Sequence, residues 1–587
     1  MNTIPPNIRS GHWRRLLPWL ALLCILASFV VAVARLHPAN FFGYTEDDSI
    51  YFSSAKAIAE GKGYVLASFP GTPAATKYPV FYPWILSWVW RWNPSFPANL
   101  TDAIAISVTF GLVYLTAAFL FLRRLRDISE AEAFLLTAFC ALHPLIIFYS
   151  GSVLSEIPFA ALALTAMLIA EGATQRQTGV ATVVCCGLLT GLAMLTRVLG
   201  LPIAAGIVVA FVMRRAWRQL LVFSGAVAPF FGVLAWRAIF PRLPTPPVSG
   251  AAASSLGWIH TWTYYTSYLN VWKEGVPNTS VFAAMLRNNV ISLLRAPADY
   301  FISPSLAPSK LAGFIVAVVV TATMAAGILR EARNRGPRPI HFVLPFYVSA
   351  MLMWNYPAGN RFLIPFLPLF AAGIWIEGKN ILRAVRSAIF GGPIAEKILA
   401  GVFAVIISII VLPSALNYAV GSRRVWAQES KRRAAILQEK REAYDWLSRF
   451  TAPSARVIAY EDADVYLYNH RLAVRPIVFT TADFYESARL TKTLEHVTDV
   501  ARAINADYWI SANDDYDFEW PDAYAKWHAR MREMERVLPL VYSSRHDRVR
   551  IYSLECVKHP ESSTCDSARS VLFPINRRTA MLGTSLR

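Results

Sequence analysis

Residues 16–36 read LLPWLALLCILASFVVAVARL, and shortly after them residues 44–64 read YTEDDSIYFSSAKAIAEGKGY. The first stretch is long and apolar enough to cross a bilayer as a helix. The second carries three consecutive acids, Glu46, Asp47 and Asp48. Such a charge density beside a membrane span marks either a solvated loop end or a reacting centre, and the rest of the sequence decides between the two.

The composition indicates a polytopic membrane protein. The 587 residues are 55% hydrophobic and 16% charged, with a mean hydropathy of +0.38, whereas soluble domains average roughly 25% charged residues. The formal charge of +19 comes largely from Lys and Arg beside apolar segments, a placement typical of cytoplasmic loops held at an anionic membrane surface. We therefore expect membrane lipids, and no nucleic acid, among the partners.

Apolar segments predict about eleven transmembrane helices, because a span needs about 20 mostly apolar residues. The predicted spans cover residues 16–36, 103–122, 133–150, 154–171, 179–195, 201–213, 219–240, 311–329, 340–354, 362–377 and 397–419. A signal peptide is the alternative for the first, since Ala32-Val33-Ala34 resembles a cleavage site. We favour an uncleaved span because the apolar stretch is long.

Basic residues set the predicted orientation of these spans. They fall on one side of the membrane in clusters: Arg9, Arg14, Arg15, Arg123, Arg124, Arg126, Arg214, Arg215, Arg218, Arg330, Arg333, Arg335, Arg338, Lys379, Arg383, Arg386 and Lys397. The positive-inside rule then places the N-terminus in the cytoplasm. Residues 37–102, 241–310 and everything after 420 are expected outside.

The sequence divides into a membrane domain, residues 1–420, and an extracytoplasmic domain, residues 421–587. In the second, helix-like REAYDWLSRF alternates with strand-like ARVIAY and RLAVRPIVF, which predicts a small α/β domain. Cys556 and Cys565 in this domain are predicted to form a disulfide if the tail lies outside the cytoplasm. The other cysteines lie in apolar segments and act as small hydrophobes: Cys24, Cys140, Cys185 and Cys186.

Two arginines have no topological role in this arrangement. Arg197 in LTRVLGLP and Arg361 in YPAGNRFLIPFLP both fall at the predicted outer ends of spans. A guanidinium at the membrane surface can hold a phosphate through two parallel hydrogen bonds. Snorkelling to the interface or a structural ion pair explains the same placement equally well.

Acids also gather at the predicted outer span ends. Glu156 in VLSEIPFA begins the fourth span, and Asp47 and Asp48 follow the first. An ionisable group at this depth is costly without a partner, a water-filled cavity or a metal ion. Capping of a following helix explains one of the two aspartates and leaves the other for chemistry.

The segment TKYPVFYPW, residues 76–84, places Lys77 among aromatic side chains and prolines. The prolines predict a fixed loop or re-entrant turn rather than a regular helix. Aromatic faces beside a cation suit sugar rings or lipid head groups, which makes Tyr78 and Tyr82 candidate contacts. Interfacial anchoring remains open for the neighbouring tryptophans: Trp84, Trp88, Trp90 and Trp92. His143-Pro144, inside the third span, predicts a helix kink.

Taken in order and by side, several of these stretches resemble the GT-C glycosyltransferases. The nearest group is the bacterial dolichyl-phosphate-mannose-protein mannosyltransferase and aminoarabinose-transferase-like branch. The stretches are EDDSIYFSSAKAIAEGKGY, TKYPVFYPW, LSEIPF, GLLTGLAMLTRVLGLP and NRFLIPFLPLFAAG, and the resemblance covers roughly residues 10–420. It implies a polytopic α-helical enzyme of the bacterial inner membrane. The implied reaction moves a sugar from a polyprenyl-phosphate carrier to a lipid, polysaccharide or protein acceptor on the outer face, with inversion.

The resemblance implies roles for the acids. Asp47 would be the base that takes the acceptor proton, and Tyr51 lies four residues later on the same helix face. Asp48 and Glu156 would support it by binding a divalent metal ion or positioning the acceptor. The branch places Asp-Glu before a basic residue, whereas Ser49 follows Asp47-Asp48 here.

The resemblance also implies a donor site. Lys77 and Arg361 would hold the donor phosphate, with Arg197 as a weaker candidate. The branch joins lysine directly to proline, whereas Tyr78 stands between them here. The alternative function is a flippase or transporter of lipid-linked saccharides, although neither related halves nor midplane charges are evident in the sequence.

Overall fold

The computed structural model describes residues 10–175, 178–239, 248–266, 279–302, 309–391, 424–517 and 520–573. The predicted span 397–419 and the predicted domain boundary at residue 420 lie outside these ranges. Each of the other predicted spans contains a helix. Five described helices are long and apolar enough to cross a membrane, or six if a bent pair counts as one span.

The helices of the N-terminal part follow one another with short connections. They are α1 Ser10–Ala34, α2 Asp47–Ala59, α3 Phe81–Trp92, α4 Leu100–Arg123, α5 Glu130–Leu142, α6 Pro144–Ser150, α7 Glu156–Ala173, α8 Val180–Thr196, α9 Gly200–Met213, α10 Trp217–Ile239, α11 Leu256–Thr266, α12 Thr279–Arg295, α13 Lys310–Arg335, α14 Pro339–Leu352 and α15 Leu367–Gly391. A 3-10 helix, Asn360–Phe366, leads directly into α15.

Two prolines show how the sequence sets helix boundaries. Helices α5 and α6 bend by 58° at His143-Pro144, so the predicted kink is confirmed. In TKYPVFYPW the expected loop is partly wrong, because α3 already begins at Phe81. Pro83 is accommodated there because a proline in the first turn removes no helical hydrogen bond.

Salt bridges gather many of the predicted cytoplasmic arginines at one end of the bundle. The Arg338 guanidinium lies 2.8 Å from Glu171 and 3.0 Å from Glu331, and Arg124 lies 3.2 Å from Glu171. Glu171 is near the end of α7, whereas Glu156 is its first residue. The two ends of α7 therefore mark two chemically different ends of the bundle.

Residues 424–573 contain a five-stranded mixed sheet. Its strands are β1 Val457–Ile458, β2 Ala473–Val474, β3 Tyr508–Ala512, β4 Leu540–Ser543 and β5 Val549–Ser553, in the order β2-β1-β3-β5-β4. Strand β1 pairs parallel with β2 and β3, whereas β5 pairs antiparallel with β3 and β4.

Helices accompany the strands of this sheet. They are α16 at residues 424–450, α17 Asp462–Asn469, α18 Thr481–Tyr485, α19 Ser487–Glu495, α20 Asp499–Ala503, α21 Pro521–Glu535, α22 Glu555–Lys558 and α23 Asp566–Leu572. The predicted disulfide between Cys556 and Cys565 is confirmed, with the two Cα atoms 5.4 Å apart.

The sheet packs tightly on the loops that leave the bundle. One buried core joins the two parts. It contains Ile458 and Val474 of the sheet together with Ile50 of α2, Trp258 of α11 and the loop residue Phe69. This shared core excludes water from the junction and fixes α2 relative to β1 and β2.

We expect Gly43→Ala to weaken this junction. Gly43 has a φ of +84°, and a Cβ atom there would lie 2.2 Å from the Asp464 carboxylate of α17. Gly63 has a similar φ of +81° with open space around it, so Gly63→Ala is the matched control. Thermal unfolding in detergent should show a loss of about 1–3 kcal/mol for Gly43→Ala and a smaller loss for the control. Equal losses would contradict contact with Asp464.

Candidate active site

Helix α2 is held between the two halves of the structure. Its residues Tyr51 and Phe52 pack into the core of the helix bundle, whereas Ile50 packs into the core shared with the sheet. The buried Trp90 indole of α3 donates a hydrogen bond to the Phe52 carbonyl at 3.0 Å. The start of α2, where the three acids lie, is therefore positioned from both sides.

The three consecutive acids enter three different environments. The Glu46 carboxylate pairs with Arg475, which follows β2. The Asp47 carboxylate accepts a hydrogen bond from the Tyr78 hydroxyl. The Asp48 carboxylate accepts the backbone N–H groups of Gly43 and Ser49, each at 3.0 Å. Only Glu46 and Asp47 of the three line a cavity.

This cavity has a volume of about 340 Å³ and lies between the segments around Asp47 and Lys77, the ends of bundle helices and residues that follow strands β1 and β2. Four cationic and two carboxylate side chains line it, together with many aromatic residues. The lining residues are Thr45, Glu46, Asp47, Tyr51, Lys77, Tyr78, Pro79, Thr196, Arg197, Val198, Leu199, Tyr264, Trp354, Asn355, Tyr356, Arg361, Tyr460, Arg475, Val478 and Phe479.

On the bundle side of the cavity, two guanidinium groups pair with one buried carboxylate. Glu156 is only 3% exposed, and its carboxylate lies 2.7 Å from Arg197 and 3.8 Å from Arg361. Both guanidinium groups also lie over the Phe362 ring, at 5.3 and 4.8 Å. Arg197 thus forms the structural ion pair that the sequence left open, and it still borders the cavity.

A hydroxyl relay connects this basic wall to α2. The Arg197 guanidinium donates to the Ser155 hydroxyl at 3.1 Å, and the Ser155 and Tyr51 hydroxyls lie 3.0 Å apart. Tyr51 lines the cavity on the same side of α2 as Asp47. The predicted shared helix face of these two residues is therefore confirmed.

Lys77 borders the cavity among aromatic rings. Its ammonium group lies 3.1 Å from the centre of the Tyr264 ring and 5.0 Å from that of Tyr78. Burial, followed by the nearby Asp47 carboxylate, raises the pKa of Tyr78 well above its usual value. The Tyr78 hydroxyl therefore keeps its proton and serves as a hydrogen-bond donor to Asp47.

Three residues predicted at the site lie outside the cavity lining. They are Tyr82, Asp48 and Glu156, and Glu156 pairs with the two lining arginines, Arg197 and Arg361. Tyr82 is fully buried, and its hydroxyl lies 2.9 Å from that of Ser107 in α4, so its expected contact with acceptor or sugar is not found. Asp48 is 1% exposed, and its carboxylate accepts the backbone N–H groups of Gly43 and Ser49 instead of lining the cavity. These two hydrogen bonds account for the place of Asp48 at the start of α2 without any substrate.

The expected divalent metal does not fit the described residues. Across the described ranges, no three His, Cys, Asp or Glu side chains are grouped so that they could hold a metal ion. Asp48 accepts backbone N–H groups, and Glu156 is paired with Arg197. The prediction that Asp48 and Glu156 act as metal ligands therefore has no counterpart in this part of the chain.

Several cavity residues had no predicted role. Arg475 and Tyr460 come from residues 424–573, which carry the five-stranded sheet and are called the sheet domain below, and Tyr264 comes from α11. Arg475 stands in the apolar run RLAVRPIVF, where a buried charge needs a partner. The sequence therefore indicates that Arg475 has a partner, but it does not show that this partner is Glu46.

Comparison with known proteins finds similarity among solved structures. No protein-family model and no curated protein sequence matches the chain. The chain is similar to ArnT from Cupriavidus metallidurans bound to undecaprenyl phosphate, with 14% identity, 89% of this chain and 97% of that chain covered, and a TM-score of 0.45.

It is also similar to the archaeal oligosaccharyltransferase AglB from Archaeoglobus fulgidus, in complex with an inhibitory peptide and a dolichol-phosphate. Here the identity is 13%, the coverage is 92% of this chain and 74% of that chain, and the TM-score is 0.47. Similarity of this degree carries no conclusion about activity.

We expect Asp48 to make stability depend on pH. Burial raises its pKa to about 7 despite the two N–H groups that it accepts. A carboxyl whose pKa is higher in the folded state binds its proton more tightly there, so stability should increase as pH falls from 7 toward 4. Asp48→Asn should therefore reduce the rise in melting temperature between pH 8 and pH 5. The same pH dependence in both proteins would contradict this assignment.

Proposed function

We propose that the chain is a GT-C glycosyltransferase that moves a sugar from a polyprenyl-phosphate donor to a hydroxyl acceptor of the cell envelope. The observation that carries the proposal is one cavity with a carboxylate, Asp47, on one wall and a guanidinium pair, Arg197 and Arg361, on another. The reaction needs a base beside the acceptor and positive charge beside the departing phosphate.

The chemistry assigns one task to each wall. The acceptor oxygen attacks the anomeric carbon while the bond from that carbon to the phosphate oxygen breaks. The bonding electrons leave with the phosphate, next to Arg361 and Arg197, and the acceptor proton passes to Asp47. Attack opposite the leaving group inverts the anomeric centre, and the products are the glycosylated acceptor and polyprenyl phosphate.

The surroundings of each group support these tasks. Glu156 offsets part of the charge of the two arginines, so the wall stays cationic without excessive repulsion between them. The Tyr78 hydroxyl fixes the orientation of the Asp47 carboxylate, and the second carboxylate oxygen can face the acceptor. Tyrosine and tryptophan rings on the remaining walls suit a sugar ring.

The proposed orientation puts the cavity on the outer face of a bacterial inner membrane. Its support is the separation of charges along the bundle: the basic clusters around Glu171 lie at one end of α7, and Glu156 with the cavity lies at the other. The acceptor class stays open among lipid, polysaccharide and protein.

Asp47→Asn should abolish most transfer. It removes the base but keeps the size of the side chain, so we expect the rate to fall by about two to four orders of magnitude. Asp102→Asn is the matched control, because Asp102 lies in the first turn of α4 and contacts Asn93 rather than the cavity. The assay follows radiolabelled sugar from polyprenyl phosphate into envelope acceptors in membranes containing the full-length protein.

Two results of this assay would contradict the proposal. Near-normal transfer by a folded Asp47→Asn protein would remove Asp47 from the mechanism. Passage of the intact lipid-linked sugar across the bilayer, without transfer by the unaltered protein, would favour the transporter alternative.

Arg361→Lys should weaken the use of the donor. Lysine keeps the charge but loses the planar pair of donors that matches phosphate oxygens. One charged hydrogen bond fewer should raise KM for the polyprenyl-phosphate sugar about tenfold, with little change in the acceptor dependence. Arg295→Lys is the control, because Arg295 is half-exposed and pairs with Asp299. An unaltered donor KM in Arg361→Lys would contradict the assignment of Arg361 to the donor phosphate.

A further inference from the structure

The residue immediately before Asp47 has an unusual backbone conformation. Glu46 has φ 61° and ψ −37°, a combination that residues other than glycine rarely adopt. The N–H of Asp47 donates to the carbonyl of Thr45 at 2.7 Å, which closes a γ-turn around Glu46. A conformation of this kind persists only where the surrounding contacts hold it.

The Glu46 side chain is held from outside α2, whereas its backbone carbonyl accepts the Ile50 N–H at 3.2 Å and the Ser49 hydroxyl at 3.0 Å within the helix. Its carboxylate pairs with the Arg475 guanidinium and accepts the Tyr264 hydroxyl at 3.4 Å. The Arg475 side chain is 3% exposed, and its guanidinium lies 4.6 Å from the Tyr460 ring and 5.1 Å from the Tyr264 ring. Contacts with Tyr460 of the sheet domain and Tyr264 of α11 therefore fix the Arg475 guanidinium in position to pair with Glu46.

We propose that Arg475 is a positioning residue of the reaction: it holds Glu46 in the γ-turn and so fixes the direction of the Asp47 carboxylate. This inference rests on the proposed function for its kinetic consequence. It gives the sheet domain a defined part in the site, because the guanidinium from the end of β2 sets the geometry of a residue that begins α2. An Asp47 freed from this turn would lose alignment with the acceptor.

The first test uses backbone exchange and needs no activity. Arg475→Gln should speed hydrogen exchange in residues 43–50, measured by mass spectrometry on the full-length protein, while β1 and β3 stay protected. Arg471→Gln is the matched control, because Arg471 is also buried but bonds to carbonyls of Leu447, Thr451 and Asn469. It should leave exchange in residues 43–50 unchanged. Unchanged exchange in Arg475→Gln would overturn the proposal.

The second test uses kinetics and a rescue. Arg475→Gln should lower kcat about 100-fold, as expected for a misplaced reacting group, with an unaltered donor KM. Adding Glu46→Gly should recover about tenfold, because glycine adopts a positive φ without strain and the double variant leaves no buried charge unpaired.

The outcomes separate this proposal from the proposed function. A raised donor KM without rescue by Glu46→Gly would mean that Arg475 contacts the substrate itself, and the positioning role would be wrong. Normal kcat in Arg475→Gln would also overturn it. Absence of transfer by the unaltered protein would refute the proposed function, whereas the exchange result would still decide how Arg475 acts on Glu46.

Discussion

The buried carboxylate of Glu156 is the constraint on which the cavity depends. A charge that is nearly excluded from water must be paired, and the loss of one partner from such a group is strongly destabilising. Here the partners are Arg197 at the end of α8 and Arg361 just before α15. The pairing brings three chain segments to one point and makes two guanidinium groups part of the cavity wall.

Opposite this wall, α2 packs between the core of the helix bundle and the core shared with the sheet. Its aromatic residues Tyr51 and Phe52 belong to the bundle, and Ile50 belongs to the core shared with the sheet. Each of the three acids at its start has a different role, and the sequence alone does not show which acid has which role. Glu46 joins the sheet domain, Asp47 faces the cavity, and Asp48 satisfies backbone N–H groups within the turn.

The sequence predicts the parts of this arrangement that follow from local pattern and membrane side. It predicts one membrane face for four residues that line the same cavity: Asp47, Tyr51, Lys77 and Arg361. The structure does not place Tyr82 at the cavity, because its hydroxyl lies against that of Ser107 inside the bundle.

Arg475 could not be assigned from the sequence for a different reason. Its partner Glu46 lies in the other half of the chain, and the ion pair exists only because β2 docks beside α2. Local pattern therefore identifies which charged residues fall at the predicted outer face. Tertiary packing decides which of them meet, and among the described residues it gives Asp48 backbone N–H partners and Glu156 two arginine partners.

An experimental structure of the full-length protein in lipid, with polyprenyl phosphate bound, would test directly whether the cavity is the site of transfer. If transfer takes place in this cavity, the phosphate lies within hydrogen-bond distance of the Arg361 and Arg197 guanidinium groups, with the Asp47 carboxylate facing it across the cavity. A phosphate bound elsewhere, with this cavity closed to it, would contradict the assignment of the cavity as the site of transfer.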